Sequence, residues 1–411
     1  MPAMIDFNPQ DPSFIVNPYP VFRQLRTEAP LYYWEQGRAW LLSRYEDVRG
    51  LLKDPRCSPD VRHWKYYRPE DMHQGPEMKV VSDNGLFGAN PEDHRRIRQT
   101  VRSAFTPSAA TRQAEIIGQV VEELIAEAEI DARDSFDLVK ALAEPMPIRV
   151  IGRMLGVPRS QERDFRQWAN VVVTLAFPNL PPEVMADAAA RFPAGYRLME
   201  RLIEERRQDL GDDLLSALIS AQDGDRGLSD GELLSMVAGL IAAGSETTVH
   251  LMAFAVHCLL RFPEVEQRVR ADRSLVPGLV EEVLRFDNFG SMGVPRYLLE
   301  DMELHGERLG KGEMLMCLLG AAMHDDGVWP DAERFDIDRS PIPNISFGVG
   351  PHFCLGAHLA RKEVSVALNV LFDRYPVLER AGEPRFDPHP LMRHLASLPV
   401  RVRPNAQPSG N

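Results

Sequence analysis

Cys354 lies in Phe347-Gly348-Val349-Gly350-Pro351-His352-Phe353-Cys354-Leu355-Gly356, a run that holds three glycines, a proline and one cysteine in ten residues. The helical pattern from Leu355 to about Asp373 follows directly. That puts the thiol at the positive end of a helix macrodipole, where the thiolate is favoured, and a thiolate is a soft ligand for iron or another transition metal. A second pattern, Ala243-Gly244-Ser245-Glu246-Thr247-Thr248, interrupts the apolar run Leu233–Leu260. Serine and threonine bond back to the backbone inside a helix, and a glutamate among apolar residues is costly unless it is paired or used. An acid beside a hydroxyl can bind a small molecule and relay protons to it. A third pattern, Glu282-Val283-Leu284-Arg285, sets an acid and a base on one helix face. His94 and Arg98, four apart, also share a face and could hold a carboxylate or phosphate. Gly348-Val349-Gly350 begins like a dinucleotide fingerprint, but Phe353 stands at the third glycine position and no strand–turn–helix unit supports it.

The elements that must position these residues are mostly helices. Asn90 and Pro91 open one. Pro107 precedes a long amphipathic helix with the stripe Ile116, Ile117, Val120, Val121, Leu124 and Ile125. Helices are expected over Val21–Glu28, Glu46–Leu52, Leu138–Leu155, Arg159–Leu175, Pro182–Leu210, Asp212–Gln222, Pro263–Ala271 and Val276–Phe286. Short strands are expected over Leu31–Trp34, Ala39–Ser43, Gly293–Leu299 (which contains Arg296), Glu303–His305, Met314–Leu319 and Ser397–Val402. Arg56–Gly88 is poor in regular pattern and reads either as an exposed polar loop or as a lid over a ligand pocket, its Arg62, Lys65 and Arg68 being solvent-facing cations in the first case and a hint of an anionic ligand in the second. The fold class is therefore mainly α, one large domain over 1–411 with small β-sheets at the margins and with about 16 N-terminal and 8 C-terminal residues peripheral. The net charge of −13 argues against a nucleic-acid partner. Cys57, Cys258, Cys317 and Cys354 are scattered without a CxxC pair, which argues against a zinc ribbon or disulfide scaffold and for a reducing compartment. No basic segment followed by an apolar run opens the chain, so no signal peptide or membrane anchor is expected.

Taken in order, Phe347-Gly-x-Gly-x-His352-x-Cys354-x-Gly356, Ala243-Gly-x-Glu246-Thr247 and Glu282-x-x-Arg285 resemble the three signatures of the cytochrome P450 family, in its soluble bacterial form, with the likeness running from about Asn17 to Arg403. The resemblance implies haem b (iron protoporphyrin IX) with Cys354 as the axial iron ligand and Phe347 against the porphyrin. It implies that His94, Arg98, Arg296 and His352 bind the propionates. Glu246 and Thr247 would be the acid–alcohol pair that delivers protons to dioxygen, and Glu282 and Arg285 a buried folding network completed by Arg334 or Arg339. Ala322-Met323-His324-Asp325-Asp326 departs from the Ala-Asn-Arg-Asp-Pro the family often shows, so the contacts of the usual Asn and Arg must be made otherwise.

The implied activity is a cytoplasmic monooxygenase that inserts one atom of dioxygen into a small organic substrate. It would draw electrons from NAD(P)H through a separate ferredoxin and ferredoxin reductase. Arg95, Arg96, Arg102, Arg361 and Lys362 are the cations expected to meet an acidic ferredoxin. A peroxide-driven haem-thiolate enzyme and a non-catalytic haem-thiolate sensor are the rivals, and the Glu246/Thr247 pair weighs against both. Besides Arg56–Gly88, the pocket is expected to be bordered by Phe177–Pro182, Leu240 with Ala243, Ser291–Val294 and Leu391–His394.

Overall fold

The computed structural model describes residues 5–68, 75–86, 88–175, 182–222, 227–290, 292–339, 344–389 and 392–403. The chain forms two compact units. The first comprises Met1–Asp71, His257–Cys354 and Pro384–Ala396, the second Met72–Val256, Leu355–Glu383 and Ser397–Asn411.

The first unit is built on a five-stranded sheet in the order Leu31–Trp34, Ala39–Leu42, Met314–Cys317, Val294–Leu298, Cys57–Ser58. The hairpin Leu31–Leu42 is antiparallel, Ala39–Leu42 runs parallel to Met314–Cys317, and Val294–Leu298 runs antiparallel to it. Both faces of the middle strands are covered. Leu42, Leu315 and Cys317 pack into one apolar cluster, and Ala39, Leu41 and Met316 into another. A strand buried on both sides reads as an unbroken apolar run rather than an alternating one, which is why Met314-Leu315-Met316-Cys317 was legible. The second cluster also contains Ile5, Phe7 and Phe14, each under 6% exposed. Phe7 meets Phe14 and Trp34 edge to face at 5.3 and 5.2 Å. The N-terminal segment is thus part of this core, not peripheral as the sequence suggested. The anchoring rings lie too far apart in sequence to form a periodic pattern.

The second unit is helical. Its core joins Glu162–Leu175 to Pro182–Gln208 through Phe165, Trp168, Phe192 and Tyr196, and reaches Val237 and Ile241 of the central helix. The helix after Pro107 is divided into Pro107–Arg112 and Ala114–Glu127. Ile117, Val120, Val121, Leu124 and Ile125 are buried as expected, with Ile116 left outside the stripe. Pro76–Asp83 is a helix within the stretch read as irregular. A small sheet pairs Pro399–Arg403 with Phe136–Asp137 and Val377–Arg380.

The central helix, Asp230–Arg261, opens on a reciprocal cap. The Ser229 hydroxyl accepts from the Glu232 amide at 3.2 Å, and the Glu232 carboxylate accepts from the Ser229 amide at 2.8 Å. Among the described residues it is the one helix long and apolar enough to cross a membrane; 61% of its most apolar window is buried inside the protein, as a core helix requires.

Helix Ala357–Arg374 carries Glu363, 2% exposed, its carboxyl pushed well above the usual range by burial. A raised folded-state pKa favours folding below the unfolded glutamate value, and the benefit fades as pH rises toward the folded value. Glu363→Gln should therefore gain on the wild type by a few degrees in Tm between mildly acidic and mildly alkaline pH. Parallel melting curves for the two proteins would contradict the buried acid.

Candidate active site

The loop that ends at Cys354 hangs from helix Val276–Phe286. Asn344 Nδ2 donates to the Glu281 carbonyl at 3.0 Å, and Ser346 Oγ to the Leu284 carbonyl at 2.8 Å. Asn288 Nδ2 in turn donates to Ser346 Oγ at 3.1 Å. Gly350 has φ 75°, a left-handed conformation glycine adopts without cost, and a Cβ there would stand 3.2 Å from Lys53 Cγ. The Cys354 amide closes the loop on the Phe347 carbonyl at 2.9 Å. None of these loop anchors was picked out from sequence. A polar residue flanking the signature, in Asn344-Ile345-Ser346, was the available signal.

Met323 and His324 take up their own contacts where the family pattern differs. The Met323 sulfur accepts the Ile345 amide at 3.4 Å, which fixes the residue just before Ser346. His324, 2% exposed, donates from Nε2 to the Phe286 carbonyl at 2.9 Å, and burial with Arg285 nearby pushes its pKa down to about 3, so it is a neutral ring.

Arg285 is 1% exposed and its five N–H donors all have acceptors. Nε and Nη2 grip the two Glu282 oxygens at 2.8 and 2.7 Å, and the remaining donors reach the carbonyls of Met323, Ala332 and Arg334 at 3.1, 2.8 and 3.1 Å. Glu282 Oε1 also accepts from the Asp336 amide at 2.9 Å and Arg339 Nε at 3.2 Å. Arg339 is therefore the side chain that completes the network, and Arg334 contributes its carbonyl.

Arg296 lies in strand Val294–Leu298, 4% exposed. Its guanidinium donates to the Pro295 carbonyl at 2.8 Å, and no carboxylate among the described residues pairs with it. Burial pulls its pKa down, and the groups that oppose this are the Cys317 and Cys57 thiols. A buried guanidinium without an anion is expensive. A haem propionate is an anion of the right kind, so the residues present fit the group.

In the second unit, Asn90 Oδ1 caps helix Pro91–Val101 by accepting from the amides of Glu92 and Asp93, both at 3.0 Å. His94 on this helix is 5% exposed, and burial with Arg98 beside it holds the imidazole below its usual pKa. On the central helix, Thr247 Oγ1 donates to the Ala243 carbonyl at 2.6 Å and Ser245 Oγ to the Ile241 carbonyl at 2.7 Å. The helix stays regular through these residues, with both hydroxyls bonded back to its own carbonyls. Gly239 and Ala243 are exposed and Leu240, Glu246 and Thr247 half-buried, on a helix whose other faces are largely buried. The described structure thus brings Phe347, His352, Cys354 and Arg296 into the first unit, and His94, Arg98, Glu246 and Thr247 into the second.

The charge assignments change. Arg96 is committed to Glu232 and to Asp93 at 3.1 Å, so it is not a free docking cation, whereas Arg95 and Arg102 are exposed. Arg62 is paired with Asp60 at 2.7 Å and Lys65 with Glu313 at 2.8 Å, which removes most of the anionic-ligand hint and leaves Arg68 exposed. Of the expected pocket borders, residues 69–74, 87, 177–181, 291 and 391 lie outside the described residues. Arg393, which the sequence placed only on a border, is 4% exposed and forms a buried ion pair with Asp287. It also donates to the Ile15 carbonyl at 3.2 Å.

A family model, Cytochrome P450, matches residues 33–401. The chain belongs to the cytochrome P450 family. This P450 is 36% identical over 408 residues to the epothilone C/D epoxidase of Sorangium cellulosum, covering 97% of this chain and 96% of that one. It is 33% identical over 406 residues to the polyketide biosynthesis cytochrome P450 PksS of Bacillus subtilis (strain 168), covering 96% and 98%. The solved structure of epothilone B-bound cytochrome P450epoK superposes with a TM-score of 0.90 at 33% identity, covering 97% of this chain and all of that one. The protein is accordingly a haem-binding P450 monooxygenase with the mainly α fold of its family. It takes electrons from redox partners and acts on small organic molecules.

Proposed function

We propose that this P450 epoxidises or hydroxylates a polyketide, working in the cytoplasm with NAD(P)H-derived electrons delivered by a ferredoxin and its reductase. Support for the substrate class comes from the epothilone C/D epoxidase and PksS, related along nearly their whole lengths. Bound haem supplies one-electron redox chemistry at iron and activation of dioxygen. Two electrons and two protons carry one oxygen atom to water, and the other enters the substrate. Cys354 would ligate the iron, Phe347 would pack on the porphyrin, and Arg296, His352, His94 and Arg98 would hold the propionates.

The observation that carries the oxygen-dependent reading is the half-buried Glu246/Thr247 pair, one turn from the exposed Ala243 on the central helix. With its proton directed to the Ala243 carbonyl at 2.6 Å, Thr247 Oγ1 offers its lone pairs to accept a hydrogen bond and so position a proton-bearing group or water, and Glu246 is the acid that can supply the proton. A peroxide-driven enzyme has no need of this pair.

The test reconstitutes the protein with ferredoxin, ferredoxin reductase and NAD(P)H, against peroxide alone, using polyketides that shift the haem absorption band. Product is expected only with the electron chain. Turnover with peroxide and none with the electron chain would reverse the assignment. Thr247→Ala should lower product per NAD(P)H consumed by roughly 10²-fold, the scale of a lost positioned proton transfer. The missing electrons should reappear as hydrogen peroxide, and Thr247→Ser should restore coupling.

A further inference from the structure

We propose that the second unit carries an anion-binding site for a small phosphate ester with an apolar body, in the groove between helices Pro145–Met154 and Glu162–Leu175. The groove encloses about 210 Å³, below the 300–1,000 Å³ typical of drug-sized ligands and suited to a smaller one. Ile148 and Phe165 give it an apolar floor, and Arg149, Arg159, Arg163 and Arg166 line it.

The arginines divide into two groups. Arg149 is gripped by Glu127 at 2.7 and 2.8 Å, with Glu123 at 3.7 Å; Arg153 is paired with Glu123, and Arg159 reaches Glu123 at 3.1 Å. These contacts explain how the helices are stapled, and they use up the carboxylates. Glu162, the one acid that lines the groove, lies 3.7 Å from Arg153. Arg163 and Arg166 are exposed and form no ion pair among the described residues. Five guanidiniums against Glu123, Glu127 and Glu162 leave this patch with two positive charges to spare, on a chain of net charge −13. Arg163 and Arg166, three apart, lie on one side of helix Glu162–Leu175, and Arg159 sits in the short 3-10 turn just before it. Stapling needs no such surplus. Two uncommitted guanidinium forks, Arg163 and Arg166, beside an apolar floor match a phosphate with a short hydrocarbon tail, because the planar fork bonds phosphate oxygens in pairs.

Isothermal titration of the full-length holoenzyme with n-hexyl phosphate, n-hexanol and inorganic phosphate tests this. Hexyl phosphate should bind at one site, more tightly than either fragment, and more weakly as salt rises. Arg163→Glu combined with Arg166→Glu should weaken it roughly tenfold or more, as loss of charge-assisted bonds does. Both residues are exposed, so the variant should keep the circular dichroism and haem spectrum of the wild type; Arg102→Glu, an exposed cation elsewhere, should bind as the wild type does. Equal affinity in the double variant, equal affinity for hexanol, or no binding of hexyl phosphate at millimolar concentration would each overturn the site.

Discussion

Cys354→Ala should abolish the thiolate absorption band of the reduced carbon monoxide complex and bring product formation to background, while the apoprotein still folds. The loop does not depend on the sulfur. Its closing bond is the Cys354 amide on the Phe347 carbonyl at 2.9 Å, and its anchors are Asn344, Ser346 and Asn288. All of these survive the substitution, so a loss of signal reports ligation rather than collapse. The other cysteines are poor substitutes. Burial pushes the Cys57 and Cys317 thiols up to about 12 and the Cys258 thiol well above its usual value. A thiolate ligand is strongly disfavoured at those three positions. If the thiolate band persists in Cys354→Ala, the assignment of the iron ligand is wrong. Cys354→His should separate the two functions of the side chain by keeping an iron ligand while losing the thiolate signature.

How much of this was legible depended on the range of the interactions. Helices Pro263–Ala271 and Val276–Phe286 have the limits read from sequence, since an N-terminal proline and a local apolar stripe suffice to define them. Likewise the Asn90 cap spans three residues. Strand Arg385–Asp387 has three residues, too few for any period to show, and helix Pro76–Asp83 has no fully buried residue, only the half-buried Met78, Val80 and Val81, too short a stripe to stand out. The signature residues were readable because their spacing is local. What holds them was not. Asn288 and Ser346 are 58 residues apart and Arg393 and Asp287 are 106 apart, so neither pair leaves a trace in a window of helical length. The same holds for the choice between Arg334 and Arg339. Both are basic and close in sequence, and only the packed structure turns one side chain inward to Glu282.

Arg285→Lys should cost several kcal/mol, and the expected readout is poor haem incorporation together with a lowered unfolding midpoint in denaturant. Lysine keeps the charge but offers three donors from one point where arginine offers five from a planar fork. It cannot hold both Glu282 oxygens and the carbonyls of Met323, Ala332 and Arg334 together. The damage should reach the iron ligand's loop, because Met323 also receives the Ile345 amide. Glu282→Gln should destabilise as well, by about 3–5 kcal/mol if it behaves as a broken buried pair, since it leaves the Arg285 charge without its anion. The decisive protein is the double variant Glu282→Gln with Arg285→Met. Replacing both members of a simple buried ion pair by neutral residues is often harmless. Here Arg285 also satisfies two buried backbone carbonyls, of Met323 and Ala332, and the part-buried one of Arg334, and each buried one left unpaired costs about 1–3 kcal/mol. The double variant is therefore expected to stay destabilised. Full recovery of stability and haem content would show that the motif is only an ion pair, and that the carbonyl contacts do not hold the loop's support in place.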